Sequence, residues 1–348
     1  MHRDIEKGAR QTIQAIVGFD VGAAPPRQAS PATPPREGNC CPLPKVLAIV
    51  GPTASGKTGA AVSLCNAIDG EVVSIDSMQI YQGMKIGTAR IKPDEAQGVP
   101  HHMIAVAAPD VPYSVAEYAN AAITIINDIL HRGKVPVLAG GTGLYLEGIR
   151  RERSYSHVPG DHLFRAPLEN LSDEQLYEKL LSLDSIAASR IHPANRRRVI
   201  RAIEIITMTG KPPLTDTVEP RFDILTLGIK IPKETLDERI SKRVHAMLAE
   251  GLVDEVRFLL RHGVNPAAQS MQAIGYKEIC KYLAGECSYE EAVERTIIGT
   301  RQYAKRQMTW FKRTERIRWF EPLQFPCIES FHKEVINMAQ RFLRNEYI

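Results

Sequence analysis

The stretch VLAIVGPTASGKTGAAVSLCNAI, from Val46 to Ile68, decides the fold. A short apolar run is followed by a glycine-rich turn and then by apolar residues at helical spacing, which predicts a strand, a loop and a helix. The turn GPTASGKT matches the pattern G-x-x-x-x-G-K-[ST] in full. In this setting backbone N–H groups, the helix N-terminus and a lysine surround a chain of phosphates. We therefore predict a site for a diphosphate or a triphosphate. Its residues are Gly51, Pro52, Thr53, Ala54, Ser55, Gly56, Lys57 and Thr58.

The segments after this loop alternate between buried strands and helices. Strands are predicted at 71–75 and 135–141, and a capping-box pattern predicts a helix that begins at Ser114. This alternation is typical of an α/β fold with a parallel sheet. The region at about 150–220 is predicted to be a mainly helical insertion beside that core, and a further strand is predicted at 222–231. Other helices are predicted at 172–190, 194–209, 234–262 and 288–313.

The composition separates residues 1–44 from the rest of the chain. Seven of the 23 residues from Gly22 to Pro44 are proline, which predicts a disordered tail before a folded core at 45–348. The formal charge is +4, and no apolar run approaches the roughly 18 residues that a membrane span needs. The six cysteines show no CxxC spacing and no disulfide-scaffold density. Reduced cysteines and a cytoplasmic location are therefore expected.

Two polar residues follow predicted strands and so should meet at one edge of the sheet. Asp76 ends the strand after the phosphate loop, and Thr142 follows the strand VPVLAGG. Side chains at the carboxyl ends of parallel strands face the ligand crevice. An ATPase usually has a carboxylate at the end of the second of these strands, where this sequence has Gly140 and Gly141 instead. A turn cap is the alternative role for Asp76, and a turn role is the alternative for Thr142.

Basic residues cluster in two places. Four arginines lie within residues 196–201, and residues 295–318 hold eight basic residues with Glu315 as the one acid. Like charges at this density repel one another, so an uncompensated row indicates a polyanionic partner such as nucleic acid. A solvated helix face is the alternative. The run Pro100–His102 suggests a metal site at first, but no further ligands follow at suitable spacing, so no metal is expected there.

Six motifs occur in an order that resembles the tRNA dimethylallyltransferases, and together they cover about Lys45 to Phe320. They are GPTASGKT, SIDSMQIYQGMKIGTAR, GGTGLY, RRVIRAIE, QAIGYKE and TRQYAKRQMTWF. The resemblance implies a P-loop NTPase-like parallel sheet with a helical insertion. It also implies transfer of a dimethylallyl group from dimethylallyl diphosphate to N6 of the adenosine 3′ of the anticodon, in tRNAs reading codons that begin with U. The loop would then hold an isoprenoid diphosphate instead of ATP.

The resemblance also implies roles for individual residues. Thr53–Thr58 and Arg243 would bind the donor diphosphate, with Lys57 as a catalytic cation and Thr58 on a diphosphate-bound Mg²⁺. Asp76 would act as the base at the acceptor amine, and Thr142 would lie near the reacting base. Residues implied to face tRNA are Asp76, Ser77, Met78, Gln79, Thr142, Arg165, Arg197, Arg198, Val199, Ile200, Arg201, Gln272, Ala273, Ile274, Gly275, Tyr276, Lys277, Lys305, Arg306, Gln307, Met308, Thr309, Trp310, Phe311 and Lys312.

This chain departs from the family pattern around Arg165, where the insertion is shorter than usual. The zinc-finger pattern of eukaryotic relatives is absent, so a bacterial-type enzyme is expected, without an obligate protein partner or a membrane. Three alternatives share the phosphate loop: a small-molecule kinase, an enzyme that prenylates free adenine nucleotides, and a nucleotide-gated RNA-binding module. The first two have no use for two basic clusters, and the third needs switch loops that the sequence does not display.

Overall fold

The fold is described from a computed structural model that covers residues 42–150, 160–210, 220–314 and 316–346. The predicted tail therefore lies outside the described residues, apart from its last three. The strands are β1 (Lys45–Val50), β2 (Gly70–Ile75), β3 (His101–His102), β4 (Val135–Gly140), β5 (Asp223–Ile229) and β6 (Ile317–Phe320). They form one sheet in the order β3-β2-β4-β1-β5-β6, and every pairing is parallel. The predicted α/β class with a parallel sheet is confirmed.

Thirteen helices are present in the described part of the chain. The first seven are α1 (Lys57–Ile68), α2 (Pro93–Ala96), α3 (Val115–His131), α4 (Gly143–Arg150), α5 (His162–Glu169), α6 (Asp173–Leu183) and α7 (Ser185–Ser189). The others are α8 (Arg196–Thr209), α9 (Lys233–Glu250), α10 (Leu252–Arg261), α11 (Tyr276–Leu283), α12 (Tyr289–Phe311) and α13 (Ile328–Leu343). Two 3-10 turns lie at Ser270–Gln272 and Pro322–Gln324. No helix in the described ranges is long and apolar enough to cross a membrane.

Local sequence signals explain several helix ends. The Glu117 N–H donates to Ser114 Oγ at 3.2 Å and the Ser114 N–H to Glu117 Oε2 at 2.7 Å, which is the predicted capping box at the start of α3. The predicted helix at 234–262 is instead two helices, α9 and α10. Gly251 separates them with φ of 108°, a conformation that a side chain disfavours.

Two apolar layers cover the sheet. On one face α3, α10, α11 and α12 contribute to a core that includes Tyr118, Tyr276 and Phe311, all fully buried. On the other face α1, α9 and α13 pack around Leu47, Leu64 and Phe331. Burial of both faces agrees with the near-continuous apolar character of the central strands. The carboxyl ends of the central strands are not covered by these layers, and the candidate site lies there.

The described helices that follow α4 and precede β5 have an apolar cluster of their own. It is formed by α5, α6, α7 and α8, and its fully buried members include Leu176, Leu180, Val199 and Ile203. Glu204, on α8, is fully buried among them and accepts hydrogen bonds from Arg165. The region at 160–210 therefore packs around its own small core.

Candidate active site

A cavity of about 780 Å³ opens at the carboxyl ends of β1, β2 and β4. The phosphate loop and the start of α1 line one side, and the segment that follows β2 lines another. Residues of α9, the turn before α11, and the middle of α12 complete the wall. Ligands of open α/β sheets bind at this end of the strands. The predicted residues that line the cavity are Thr53, Ala54, Ser55, Gly56, Lys57, Thr58, Asp76, Ser77, Met78, Gln79, Arg243, Gln272, Ala273, Ile274, Gly275, Lys277, Arg306 and Gln307.

The phosphate loop wraps tightly at the end of β1. A Cβ atom on Gly51 would lie 2.6 Å from the carbonyl oxygen of Ile229, so only glycine fits there. The buried Ser55 Oγ has no hydrogen-bond partner among the described residues, and the Lys57 ammonium donates to the Pro52 carbonyl at 2.5 Å. A buried hydroxyl without a partner is costly. A phosphate oxygen in the loop would supply that partner, so the loop suits its predicted ligand.

Two cations face this loop. Burial, with a smaller contribution from the nearby positive charge of Arg243, lowers the pKa of Lys57 to about 7, while the charge of Asp76 acts in the opposite direction. Burial also lowers the pKa of Arg243, against the charges of Asp76 and Glu95. Both shifts show that the charged forms of these side chains are destabilised here when no anion is bound. A diphosphate would remove that cost, so the site is electrostatically prepared for one.

Asp76 has two roles in the geometry of the site. Its Oδ1 accepts hydrogen bonds from the N–H groups of Met78 at 2.9 Å and Gln79 at 3.4 Å. This oxygen therefore caps the turn, which is the alternative role considered for Asp76. No hydrogen bond from the described residues reaches Oδ2. The side chain is half-buried and lines the cavity. A carboxylate held by its own turn, with one oxygen facing a cavity, is positioned to accept a proton.

Thr142 lies beside Asp76, although it does not itself line the cavity. Its Oγ1 accepts from the Ser77 N–H at 3.1 Å, and its own N–H donates to the Ile75 carbonyl at 3.0 Å. The ends of β2 and β4 are therefore tied together here. The Tyr303 hydroxyl also reaches the Thr142 side chain, and burial raises the pKa of Tyr303 to about 12. Tyr303 therefore stays protonated at neutral pH, and its hydroxyl also contacts the side chain of Gln307.

A second wall of the cavity depends on Glu255, a residue that no motif in the sequence singles out. Its carboxylate accepts from the N–H groups of Lys85 at 2.8 Å, Ile86 at 2.9 Å and Gly87 at 3.2 Å, and from the Tyr276 hydroxyl at 2.5 Å. A Cβ atom on Gly87 would lie 2.4 Å from the Tyr276 ring. Glu255 thus joins the loop at 85–87 to the start of α11.

The protein offers few ligands for a metal ion of its own. No group of three or more His, Cys, Asp or Glu side chains able to hold a metal occurs among the described residues. Thr58, in the first turn of α1, is exposed to the cavity. Mg²⁺ usually keeps several waters and binds through substrate phosphates. The residues present therefore fit a divalent cation that arrives with a diphosphate.

Some of the residues predicted to face tRNA are buried. The side chains of Val199, Ile200, Tyr276 and Phe311 lie in apolar cores. The tRNA-binding role of these four positions therefore stays a prediction that their side chains do not support. Gln307 is also buried, and its amide is bonded within the protein. The segments were predicted as continuous runs, whereas a helix presents only one of its faces to a partner.

Arg165 and Arg201 also have partners within the protein. Both donate to the buried carboxylate of Glu204, Arg165 through two bonds of 3.0 and 2.6 Å. They neutralise a buried charge that would otherwise be costly. By contrast, five predicted basic residues are exposed and form no ion pair with any described residue. They are Arg197, Arg198, Lys305, Arg306 and Lys312.

A parallel sheet with a phosphate loop, two cations and a carboxylate in one cavity, beside a basic helix, is typical of an enzyme that acts on a phosphorylated substrate. Comparison with known proteins makes this assignment more specific. The family model described as IPP transferase matches residues 79–314. Curated relatives extend the match to most of the chain. The chain belongs to the IPP transferase family.

Two similar relatives are both named tRNA dimethylallyltransferase. That of Caldanaerobacter subterraneus is 47% identical over 302 residues, covering 84% of this chain and 96% of the relative. That of Pelotomaculum thermopropionicum is 42% identical over 305 residues, with coverage of 86% and 97%. Among solved structures, the full-length tRNA isopentenylpyrophosphate transferase of Bacillus halodurans is 40% identical, with a TM-score of 0.67 and coverage of 86% and 97%. A eukaryotic dimethylallyltransferase described as acting on tRNA is 29% identical, with a TM-score of 0.75 and coverage of 88% and 81%.

Proposed function

We propose that this protein transfers the dimethylallyl group of dimethylallyl diphosphate to N6 of the adenosine 3′-adjacent to the anticodon, in tRNAs that read codons beginning with U. One observation carries the proposal. The Asp76 carboxylate, the Lys57 and Arg243 cations and the phosphate loop all line one cavity. A diphosphate leaving group and an amine that loses a proton need those two kinds of group together. The names of the relatives supply the substrate class.

The donor reacts by loss of its diphosphate. The allylic C–O bond breaks, its electron pair leaves with the diphosphate, and the positive charge is delocalised over the allyl group. Lys57, Arg243 and the loop N–H groups stabilise the charge that grows on the departing oxygen. Mg²⁺ bound by the diphosphate and the Thr58 hydroxyl would supply further charge neutralisation.

The acceptor amine becomes reactive as its proton is removed. The N6 lone pair is conjugated with the purine ring, so the new C–N bond forms more easily when Asp76 accepts the N6 proton as bonding proceeds. General-base assistance of this kind is worth about 10²–10⁴-fold in rate. Thr142 holds the turn that carries Asp76 through the Ser77 N–H, and Tyr303 reaches Thr142 from α12. Exclusion of water from the cavity protects the allylic cation from hydrolysis.

The RNA would be held by the exposed cations of the basic clusters. Lys305, Arg306 and Lys312 lie on the exposed face of α12 or at its C-terminus, and Arg197 and Arg198 lie on α8. The helical insertion at about 150–220 would therefore contribute one side of the RNA site. Extruding the target base from its stack costs a few kcal/mol, and phosphate contacts offset that cost. A tRNA substrate also implies a cytoplasmic location.

The proposal is tested by incubating the protein with dimethylallyl diphosphate labelled in its prenyl group and with one of three acceptors. These are an anticodon stem-loop RNA, the same RNA with guanosine at the target position, and AMP. Label on the first RNA only is the expected result. Label on AMP but not on RNA would favour the adenine-nucleotide prenyltransferase. Absence of prenyl transfer, together with consumption of ATP in a parallel incubation that contains ATP instead of the donor, would favour a kinase.

A further inference from the structure

Gln307 lies in the middle of α12, where it connects two loops of the site. Its Oε1 accepts from the Thr53 N–H at 2.9 Å, and its Nε2 donates to the Gly141 carbonyl at 3.0 Å. The residue is only 5% exposed, so its amide is committed to these contacts. One side chain therefore joins the phosphate loop to the turn that carries Thr142.

The turn after β4 is shaped to admit this side chain. A Cβ atom on Gly141 would lie 1.9 Å from Gln307 Nε2, which is far too close for two non-bonded heavy atoms. The backbone of Gly141 does not have positive φ, so alanine could adopt its conformation. The obstacle to alanine at this position is the steric clash with the Gln307 side chain. Glycine at this position is thus explained by Gln307.

The same helix faces the other parts of the reaction. Tyr303, one turn before Gln307, reaches Thr142, and Arg306 lines the cavity while its exposed neighbour Lys305 faces outward. A movement of α12 would therefore displace both the phosphate loop and the turn beside Asp76.

We propose that Gln307 is a positioning residue that sets the distance between the donor diphosphate and the acceptor base, and that it does not contact RNA. This inference rests on the proposed function. It predicts a loss in turnover, because misplacement by about 1 Å of groups that hold the reactants can cost about 10²-fold in rate. A residue that contacts RNA would instead lower RNA affinity.

The first test is Gln307→Met, which keeps the length of the side chain and removes the hydrogen bonds to Thr53 and Gly141 together with the contact to the Tyr303 hydroxyl. Gln340→Met on α13 is the matched control, since the half-buried Gln340 side chain makes no hydrogen bond with described residues and does not line the cavity. We expect kcat of Gln307→Met to fall about 10- to 100-fold with stem-loop RNA affinity within about twofold of wild type. Unchanged kcat, or an equal loss in kcat and RNA affinity, would overturn the inference.

The second test is a double-mutant cycle that does not depend on the stability of one variant. Gly141→Ala alone should lower kcat strongly, because its methyl group displaces the Gln307 amide. In a Gln307→Ala background the space is empty, so adding Gly141→Ala should cost at most about twofold more. Additive losses in the cycle would show that Gln307 does not position this turn.

The two proposals fail in different ways. A wild-type protein that binds RNA and donor but transfers no label would overturn the proposed function, and this inference with it. Full transfer by wild type together with full transfer by Gln307→Met would overturn the inference alone.

Discussion

Binding of the donor should take up a proton, because Lys57 is only partly charged in the free protein. Burial and the charge of Arg243 hold its pKa at about 7, compared with the ordinary value of 10.5. A diphosphate in the loop favours the ammonium form and raises that pKa again. At pH 8 about one-tenth of the free protein carries the Lys57 charge, so binding should take up about 0.9 proton per site.

The affinity for the donor should therefore depend on pH in a definite direction. Above pH 7 each unit approaches a tenfold loss, and between pH 7 and 9 the loss of affinity should be about 50-fold. The terminal phosphate titrates near pH 6, below this window, so it does not produce the same trend. Isothermal titration of the protein with dimethylallyl diphosphate, in buffers of different ionisation enthalpy, measures both quantities.

Two variants distinguish the titration of Lys57 from the titration of other groups as the cause of this pH dependence. Lys57→Arg keeps a positive charge throughout the window, so its donor affinity should vary little with pH. Arg243→Gln removes a like charge, so the pKa of Lys57 should rise and the loss of affinity should begin at higher pH. Donor affinity of the wild type that is constant from pH 7 to 9, with no proton uptake at pH 8, would refute the electrostatic reasoning.

Three further predictions concern the acid, the RNA surface and the second wall. Asp76→Ala should lower kcat by about 10²–10⁴-fold with little change in RNA affinity, measured by single-turnover transfer and filter binding; equal losses would make Asp76 a binding residue. Lys305→Ala with Arg306→Ala should weaken RNA binding. It should also make the decrease of log K with log[salt] less steep, by the equivalent of about two phosphate contacts; an unchanged slope would favour a solvated helix face. Glu255→Gln should lower the free energy of unfolding in urea by about 2 kcal/mol, because the amide accepts fewer of the N–H bonds at 85–87; unchanged stability would contradict this role.

Much of the fold could be predicted because its signals are local. The strand, glycine turn and helix at 46–68 occur in consecutive residues, and the capping box at Ser114 needs only four residues. The error at 234–262 was also local, since Gly251 marked the break between α9 and α10. That break allows α10 to begin in a new direction, and Glu255 lies in its first turn.

The remaining parts of the site depend on residues far apart in the chain. Gln307 and Gly141 are separated by 166 positions, and Glu255 and Ile86 by 169. No periodicity or spacing connects such pairs, so the sequence could indicate that Gln307 lies in a basic helix but not that its amide is buried. The same limit applies to Arg165 and Glu204, whose pairing requires α5 to pack against α8.

In the proposed reaction the phosphate loop holds a leaving group: the prenyl carbon is transferred, and the diphosphate departs intact. Dimethylallyl diphosphate labelled with ¹⁴C in the prenyl group and with ³²P in both phosphates tests this in one reaction with stem-loop RNA. We predict that ¹⁴C enters the RNA while all ³²P is released as inorganic diphosphate. Label from ³²P in the RNA, or release of orthophosphate in step with the reaction, would contradict the account.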